Sequence, residues 1–353
     1  LKVLIVHYCM YVYGGAEEVV VQLANYLVNK KHTVGILTTR IISQIRRDLD
    51  RRVKVYLSEE ENLPSLISRF KDVQKDYDII NYHNHPSEYL SKYATLPQVF
   101  MFNEPSQIVL DGGHPPKEEI EAVRRIERIV VNSRFEQNRI KREYGVDSTI
   151  NFYGIDYDFW SIKDDSYKWI KRPNIITVGW ISDMKNQVES VRVLAEVKKE
   201  VPECRLLLVG NNTLPYTQKV VDLSRKLGVE DSVIFTGLVP RIEVRKYYGA
   251  SDVALFPYKS QGGCLSPFQA ICNKVPVIVY PTAIVSEILL QNNLGIVSDD
   301  PVQFIVESLN NSSLYDVYKA AEWVKDNLTW ERYCRKMEEI MEELVWQYMT
   351  REL

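Results

Sequence analysis

A short β-branched run, a turn and an amphipathic helix recur in that order along the whole chain, and this rhythm restricts the fold more than any other feature. In the first half the runs Lys2–His7, His32–Leu37, Arg52–Tyr56, Tyr77–Tyr82, Gln98–Phe102, Ile129–Val131 and Thr149–Phe152 read as strands. In the second half Asn174–Val178, Arg205–Val209, Ser232–Phe235, Val253–Phe256 and Val275–Val279 read the same way. Stretches between them, such as Ala16–Val28 and Lys117–Arg125, place apolar residues at i, i+3, i+4 and i+7, the period of a helix with one buried face. Strands alternating with helices mean parallel sheets covered on both faces. At roughly 150 residues per domain, 353 residues make two such α/β domains. The predicted division is residues 1–155, a linker at 156–173 that is aromatic, charged and without a clear period, and residues 174–328. Residues 329–353 then form one long helix opening with Trp330.

Composition removes several classes. No apolar run reaches the ~18 residues a membrane helix needs. The opening run Leu1–His7 is too short for a signal peptide and lacks a small-residue cleavage site. A net charge of −3 argues against a protein built to hold nucleic acid. Cys9, Cys204, Cys264, Cys272 and Cys334 are scattered and form no C-x-x-C pair, so neither a disulfide framework nor a zinc site is signalled. A reducing cytoplasm is the expected location.

In open parallel sheets ligands bind outside the carboxyl ends of the strands, so the residues just after each strand carry the functional signal. The first strand is followed by Tyr13-Gly14-Gly15-Ala16-Glu17, where two glycines allow close backbone approach and a helix N-terminus offers N–H groups to an anion. It is not the G-x-G-x-x-G fingerprint, and a plain tight turn is the bland reading. Val178-Gly179-Trp180-Ile181-Ser182-Asp183-Met184-Lys185 puts a lysine near a helix start, where it opposes the helix dipole unless an anion is shared. A solvated surface lysine is the alternative. Ser251–Pro257 runs into Gln261-Gly262-Gly263-Cys264-Leu265 and a helix bearing Gln269, an amide-rich turn suited to a phosphate.

His83-Asn84-His85 follows a strand, and its spacing admits metal binding, but no third ligand stands at suitable spacing. Asn103 and Glu104 follow the next strand; Glu104 either orients a substrate hydroxyl or caps a turn. Arg40, Arg46, Arg47, Arg51 and Arg52 read as a solvated face, with a patch for anionic lipid head groups or a phosphate-bearing acceptor as the sharper alternative.

Together these loops resemble the GT-B fold retaining glycosyltransferases of family GT4, glycosyl transferases group 1, with the E-x7-E motif. The resemblance rests on Gly14-Gly15-Ala16-Glu17, Val131-Asn132-Ser133-Arg134-Phe135, Asn151–Asp156, Phe235-Thr236-Gly237, Ala250–Pro257, Pro276-Val277-Ile278 and Trp330, in that order. It implies two Rossmann-like domains facing a cleft, an N-terminal acceptor domain and a C-terminal nucleotide-sugar donor domain, with the last helix crossing back to the first. The departures are specific. The family's donor-site arginine falls at Trp180, while its lysine is kept as Lys185. Both glutamates of the motif fall at Gln261 and Gln269, the following Phe-Gly at Gly263-Cys264, and the histidine beside the reacting sugar at Asn103.

Losing one positive and two negative charges leaves such a pocket one charge more positive, so a diphosphate is not repelled. Losing charge-assisted hydrogen bonds, each ~1–2 kcal/mol stronger than neutral ones, weakens binding or rate. The resemblance implies transfer of a hexose from a nucleoside diphosphate sugar to a glycan, lipid or protein acceptor, with no cofactor and no metal. Lys185, Gln261 and Asn103 would act on phosphate, sugar hydroxyls and the sugar near its anomeric carbon. Gly14, Gly15, Trp180, Gly237, Leu238, Gly262, Gly263, Cys264, Leu265 and Gln269 would hold the donor, Gly237 and Leu238 at the base and Gln269 at the ribose. The alternative is a silent sugar-nucleotide binder on the same fold. No nucleic-acid partner is expected, and any membrane contact would be peripheral, at the inner face.

Overall fold

A computed structural model describes residues 1–103, 106–110, 112–164, 166–212, 215–259, 265–310 and 314–351. The chain divides into two units, Leu1–Gly154 with Trp330–Leu353, and Ile155–Thr329.

The first unit is built on β1 (Lys2–His7), β2 (Thr33–Thr38), β3 (Lys54–Leu57), β4 (Ile79–His83), β5 (Gln98–Phe102), β6 (Arg128–Val131) and β7 (Thr149–Ile150). They form one parallel sheet in the order β3-β2-β1-β4-β5-β6-β7. β4 and β5 are buried at every residue, as a sheet covered on both faces requires. One face carries Leu4, Val6, Phe70, Tyr82, Phe100 and Tyr144. The other packs Val3 and Ile5 against helix Gly15–Asn29 and against Tyr333, Met337, Met341 and Leu344 of the last helix, Trp330–Arg351. The terminal helix thus returns to the first unit, where Asn151 Nδ2 donates to the Tyr333 carbonyl at 3.0 Å.

Helix Arg134–Tyr144 starts because Ser133 Oγ accepts from the Glu136 amide at 3.1 Å, and it ends at Gly145, whose φ of 72° suits a residue without Cβ. Ser133→Ala should cost about 1 kcal/mol of stability, measured by urea unfolding.

The second unit is built on β8 (Asn174–Val178), β9 (Arg205–Val209), β10 (Val233–Gly237), β11 (Val253–Phe256), β12 (Val277–Val279) and β13 (Ile296–Val297), parallel, in the order β10-β9-β8-β11-β12-β13. Ile175, Leu206, Leu208, Val253 and Leu255 pack against Val191, Leu194 and Val197 of helix Gln187–Val197.

Three segments depart furthest from the pattern reading. β7 pairs over two residues only, Thr149 and Ile150, with the Asn151 amide still donating to the Val131 carbonyl at 2.8 Å and its side chain bonded to the terminal helix. β13 was not foreseen: two residues are too short for any period to show. The segment read as a linker holds helix Tyr157–Trp160, capped by Asp156, and Trp160 is 3% exposed. Among the described residues no helix is long and apolar enough to cross a membrane.

Candidate functional site

In each sheet the strand order reverses once, at β1/β4 and at β8/β11, and such reversal points are where strand-end loops part to admit ligands. At the first, His7 and His83 stand side by side in register, 3% and 0% exposed. His83 Nε2 lies 2.8 Å from Asn81 Oδ1. Neither ring nitrogen of His7 has a hydrogen-bond partner among the described residues, and its Nε2 is 3.8 Å from Glu17 Oε1. Burial lowers His7 to about 4; burial, then its neighbour His7, lowers His83 to about 3.

Both imidazoles are therefore neutral in the fold at pH 7. An unfolded chain takes up these protons below 6.5, so their contribution is complete above that pH and is lost as pH falls toward about 4 for His7 and about 3 for His83. Urea midpoints should drop across that window, and His7→Gln should flatten the drop.

The glycine loop is already engaged. The Gly14 amide donates to Glu17 Oε2 at 3.0 Å, and the first turn of helix Gly15–Asn29 carries Glu17 and Glu18. The N–H that the sequence offered to an anion is held by the helix's own carboxylate.

Beyond β5, Asn103 is cross-braced. Its Nδ2 donates to Asn84 Oδ1, after β4, and its Oδ1 accepts from the Tyr153 hydroxyl, after β7. Asn132, after β6, donates to that same hydroxyl at 3.1 Å. Four strand ends thus share one network, and an amide has two donors and two acceptor lone pairs to give, enough for a ligand as well.

At the second reversal point, two glycines set the backbone. Gly179 and Gly210 have φ of 148° and 150°, and a Cβ on Gly210 would lie 2.1 Å from the Gly179 carbonyl. Only glycine tolerates that approach of the β8 and β9 ends. Asn186 adopts a left-handed φ of 54° and donates from Nδ2 to the Pro257 carbonyl at 3.0 Å. The Lys259 amide donates to the Met184 carbonyl at 2.9 Å, its ammonium pairs with Asp183 at 2.9 Å, and Tyr258 donates to the Val178 carbonyl at 2.6 Å. These bonds stitch the β8 and β11 loops together. Lys185, half-buried two residues before helix Gln187–Val197, has its ammonium 4.2 Å from the centre of the buried Tyr258 ring.

Trp180 accepts at its carbonyl from Gln187 Nε2 at 2.9 Å. Gly237 closes β10 with φ 70°, beside Asn212, and Leu238 is 64% exposed. Leu265 precedes helix Ser266–Cys272, on which Gln269 is half-buried. Gln261, Gly262, Gly263, Cys264 and Glu104 lie outside the described residues. Gly210, Asn212, Tyr153 and Tyr258 are neighbours that the sequence reading did not single out. The Gly-Asn-Asn run directly after β9 was the available signal for the first two. The arginines at 40, 46, 47, 51 and 52 are exposed, with Arg40 paired to Glu61 and Arg52 to Asp50.

The family model for glycosyl transferases group 1 matches residues 158–342, and that for glycosyltransferase family 4 matches residues 13–159. A GDP-mannose-dependent alpha-(1-6)-phosphatidylinositol monomannoside mannosyltransferase of Mycolicibacterium smegmatis is 24% identical over 232 residues, 59% of this chain and 60% of that protein. The chain spans 60% or less of the length of the curated relatives it matches. Anabaena HepE, solved in complex with UDP and glucose, superposes with TM-score 0.82 at 15% identity, covering 98% of this chain and 100% of that one. Sucrose-phosphate synthase from Thermosynechococcus elongatus superposes at 0.81 and 14% identity, covering 97% and 98%. These likenesses and the two parallel sheets establish a GT-B fold of two Rossmann-like units.

Proposed function

This chain belongs to the glycosyl transferases group 1 family, and from that premise we propose that it moves a hexose from a nucleoside diphosphate sugar to an acceptor, keeping the anomeric configuration. The observation that carries the reading is Lys185, the family lysine, with its ammonium against the Tyr258 ring at the end of β8 and β11. The donor's diphosphate is the leaving group, and attack comes on the face it vacates. The protein's work is to position both partners and to stabilise charge developing on the departing phosphate.

In this reading Lys185 neutralises phosphate, and the amides of Gly262, Gly263, Cys264 and Leu265 cradle it. Gln269 holds the ribose diol, Gln261 the sugar hydroxyls, and Asn103 the sugar near its anomeric carbon. Trp180, Gly237 and Leu238 flank the nucleoside, and Gly14 and Gly15 approach the donor through their backbone. No metal takes part in this step as written. The site of action we propose is the cytoplasm, with a membrane surface for a lipid acceptor.

HepE was solved with UDP, and the mycobacterial relative is GDP-mannose-dependent, so uridine and guanosine donors head the test. The full chain is incubated with UDP-glucose, UDP-galactose, GDP-mannose and ADP-glucose, with no cation added. Nucleoside diphosphate release and the anomer of the freed sugar are followed by NMR. Slow release from one donor with retention is the expected result; an inverted sugar, or no binding of any donor, overturns it. Glutamine at both motif positions, 261 and 269, favours one second reading, a silent binder, which calorimetric binding without turnover would establish.

A further inference from the structure

One polar cluster of the first unit takes no part in the reading above. His85 follows β4 and Asn84, whose left-handed φ of 59° turns the chain. Glu88 lies in the 3-10 helix Ser87–Tyr93, and Glu119 comes from helix Lys117–Arg124. One nitrogen or oxygen from each of the three lies within 4.8 Å of the others.

Both carboxylates are 1% exposed. Glu88 Oε1 is 2.5 Å from His85 Nδ1, and Glu119 Oε1 accepts from the Tyr144 hydroxyl at 2.5 Å. The second oxygen of each, Oε2, is buried with no hydrogen-bond partner among the described residues. Among those residues no lysine or arginine pairs with either glutamate. Two carboxylates drawn out of water beside each other are costly unless a positive charge or protons compensate; His85 answers Glu88 Oε1, while the two Oε2 atoms have no such partner among the described residues.

We propose that His85, Glu88 and Glu119 bind one divalent first-row cation of the Zn²⁺ or Mn²⁺ class. One imidazole nitrogen and two carboxylate oxygens are the donor set such ions accept, and they leave a coordination position for water. The cation takes the place of the proton that His85 and Glu88 share. The His85 side chain is 28% exposed and supplies the way in. Tyr144, at the end of helix Arg134–Tyr144, holds Glu119 in place from behind. The site is structural: it ties the segment after β4 to two helices that follow β5 and β6. His83, the other histidine of the His-Asn-His run, is bound to Asn81 and does not join it. The proposal rests on the geometry of the first unit and not on the transferase reading.

The test uses the full chain, stripped with a chelator and dialysed. It is titrated calorimetrically with Zn²⁺ alone and then with Mn²⁺ alone, and its melting temperature is read with and without each ion. One equivalent bound, with a rise in melting temperature, is expected for at least one of the two. Glu119→Gln, which keeps the shape, should weaken binding by at least ~100-fold, and Tyr144→Phe by ~10–100-fold. His32→Gln removes the histidine of a second grouping, with Glu338 and Glu342, and should leave the affinity within about twofold. A wild-type chain that binds neither ion stoichiometrically overturns the proposal. So does a Tyr144→Phe or Glu119→Gln chain with undiminished affinity, so a variant that fails to fold does not shield it.

Discussion

Lys185→Ala should lower kcat/KM for the nucleoside diphosphate sugar by about 100- to 1,000-fold, equivalent to about 3–4 kcal/mol, the usual cost of deleting one preorganised group that faces developing charge. The ammonium is well placed for that role. It is half-buried, it rests 4.2 Å from the centre of a fully buried tyrosine ring, and the loop that bears it is bonded to the β11 loop through Asn186 and Lys259. A charge held this way needs little reorganisation when the phosphate departs. Tyr258→Phe separates position from charge: it keeps the ring and loses the bond to the Val178 carbonyl, so its effect should stay within about tenfold. Initial rates of diphosphate release over a range of donor concentrations decide the matter. If Lys185→Ala changes kcat/KM by less than about threefold, the phosphate lies elsewhere.

The largest expected effect on stability is in the terminal helix. Tyr333 is 0% exposed and meets Tyr153 and Trp330 at ring-centre separations of 5.7 and 5.8 Å. It also shares the core of the first unit with Val3, Ile5, Met337 and Met341. Tyr333→Ala should cost about 3–5 kcal/mol, because it removes a large buried ring and leaves a cavity between helix and sheet. Trp346, on the same helix but 67% exposed, is the comparison: Trp346→Ala should stay within about 0.5 kcal/mol. Urea unfolding followed by far-UV circular dichroism measures both. Equal costs for the two would mean that the helix contributes nothing to the first unit through its buried face.

Much of the architecture was legible because it is written in short periods. Lys2–His7, Gln98–Phe102, Asn174–Val178, Arg205–Val209 and Val253–Phe256 are strands with the very bounds their β-branched runs indicate. Other strands shifted by a residue or two, where polar residues such as His32 and Arg52 begin the run outside the ladder. The return of the terminal helix was legible through Trp330 and the resemblance it completes, not through any period. For the candidate site, the sequence singled out the strand-end loops and Lys185, which stands in the loop between β8 and helix Gln187–Val197, beside Tyr258. It gave no sign that the Gly14 amide would be taken by Glu17, since a capping glutamate and a ligand-binding turn read alike along a chain.

What the chain determines by itself is local: which segments are strands, which are helices, and that parallel sheets with covered faces must follow, because hydrophobic period and turn chemistry act over a few residues. Strand order is another matter. The neighbours it creates are far apart in sequence: His7 beside His83, Asn103 between Asn84 and Tyr153, and Glu119 near Glu88. No pattern along the chain encodes those meetings. They arise when whole layers pack, which fixes the β1/β4 and β8/β11 reversals and so decides which side chains share a site.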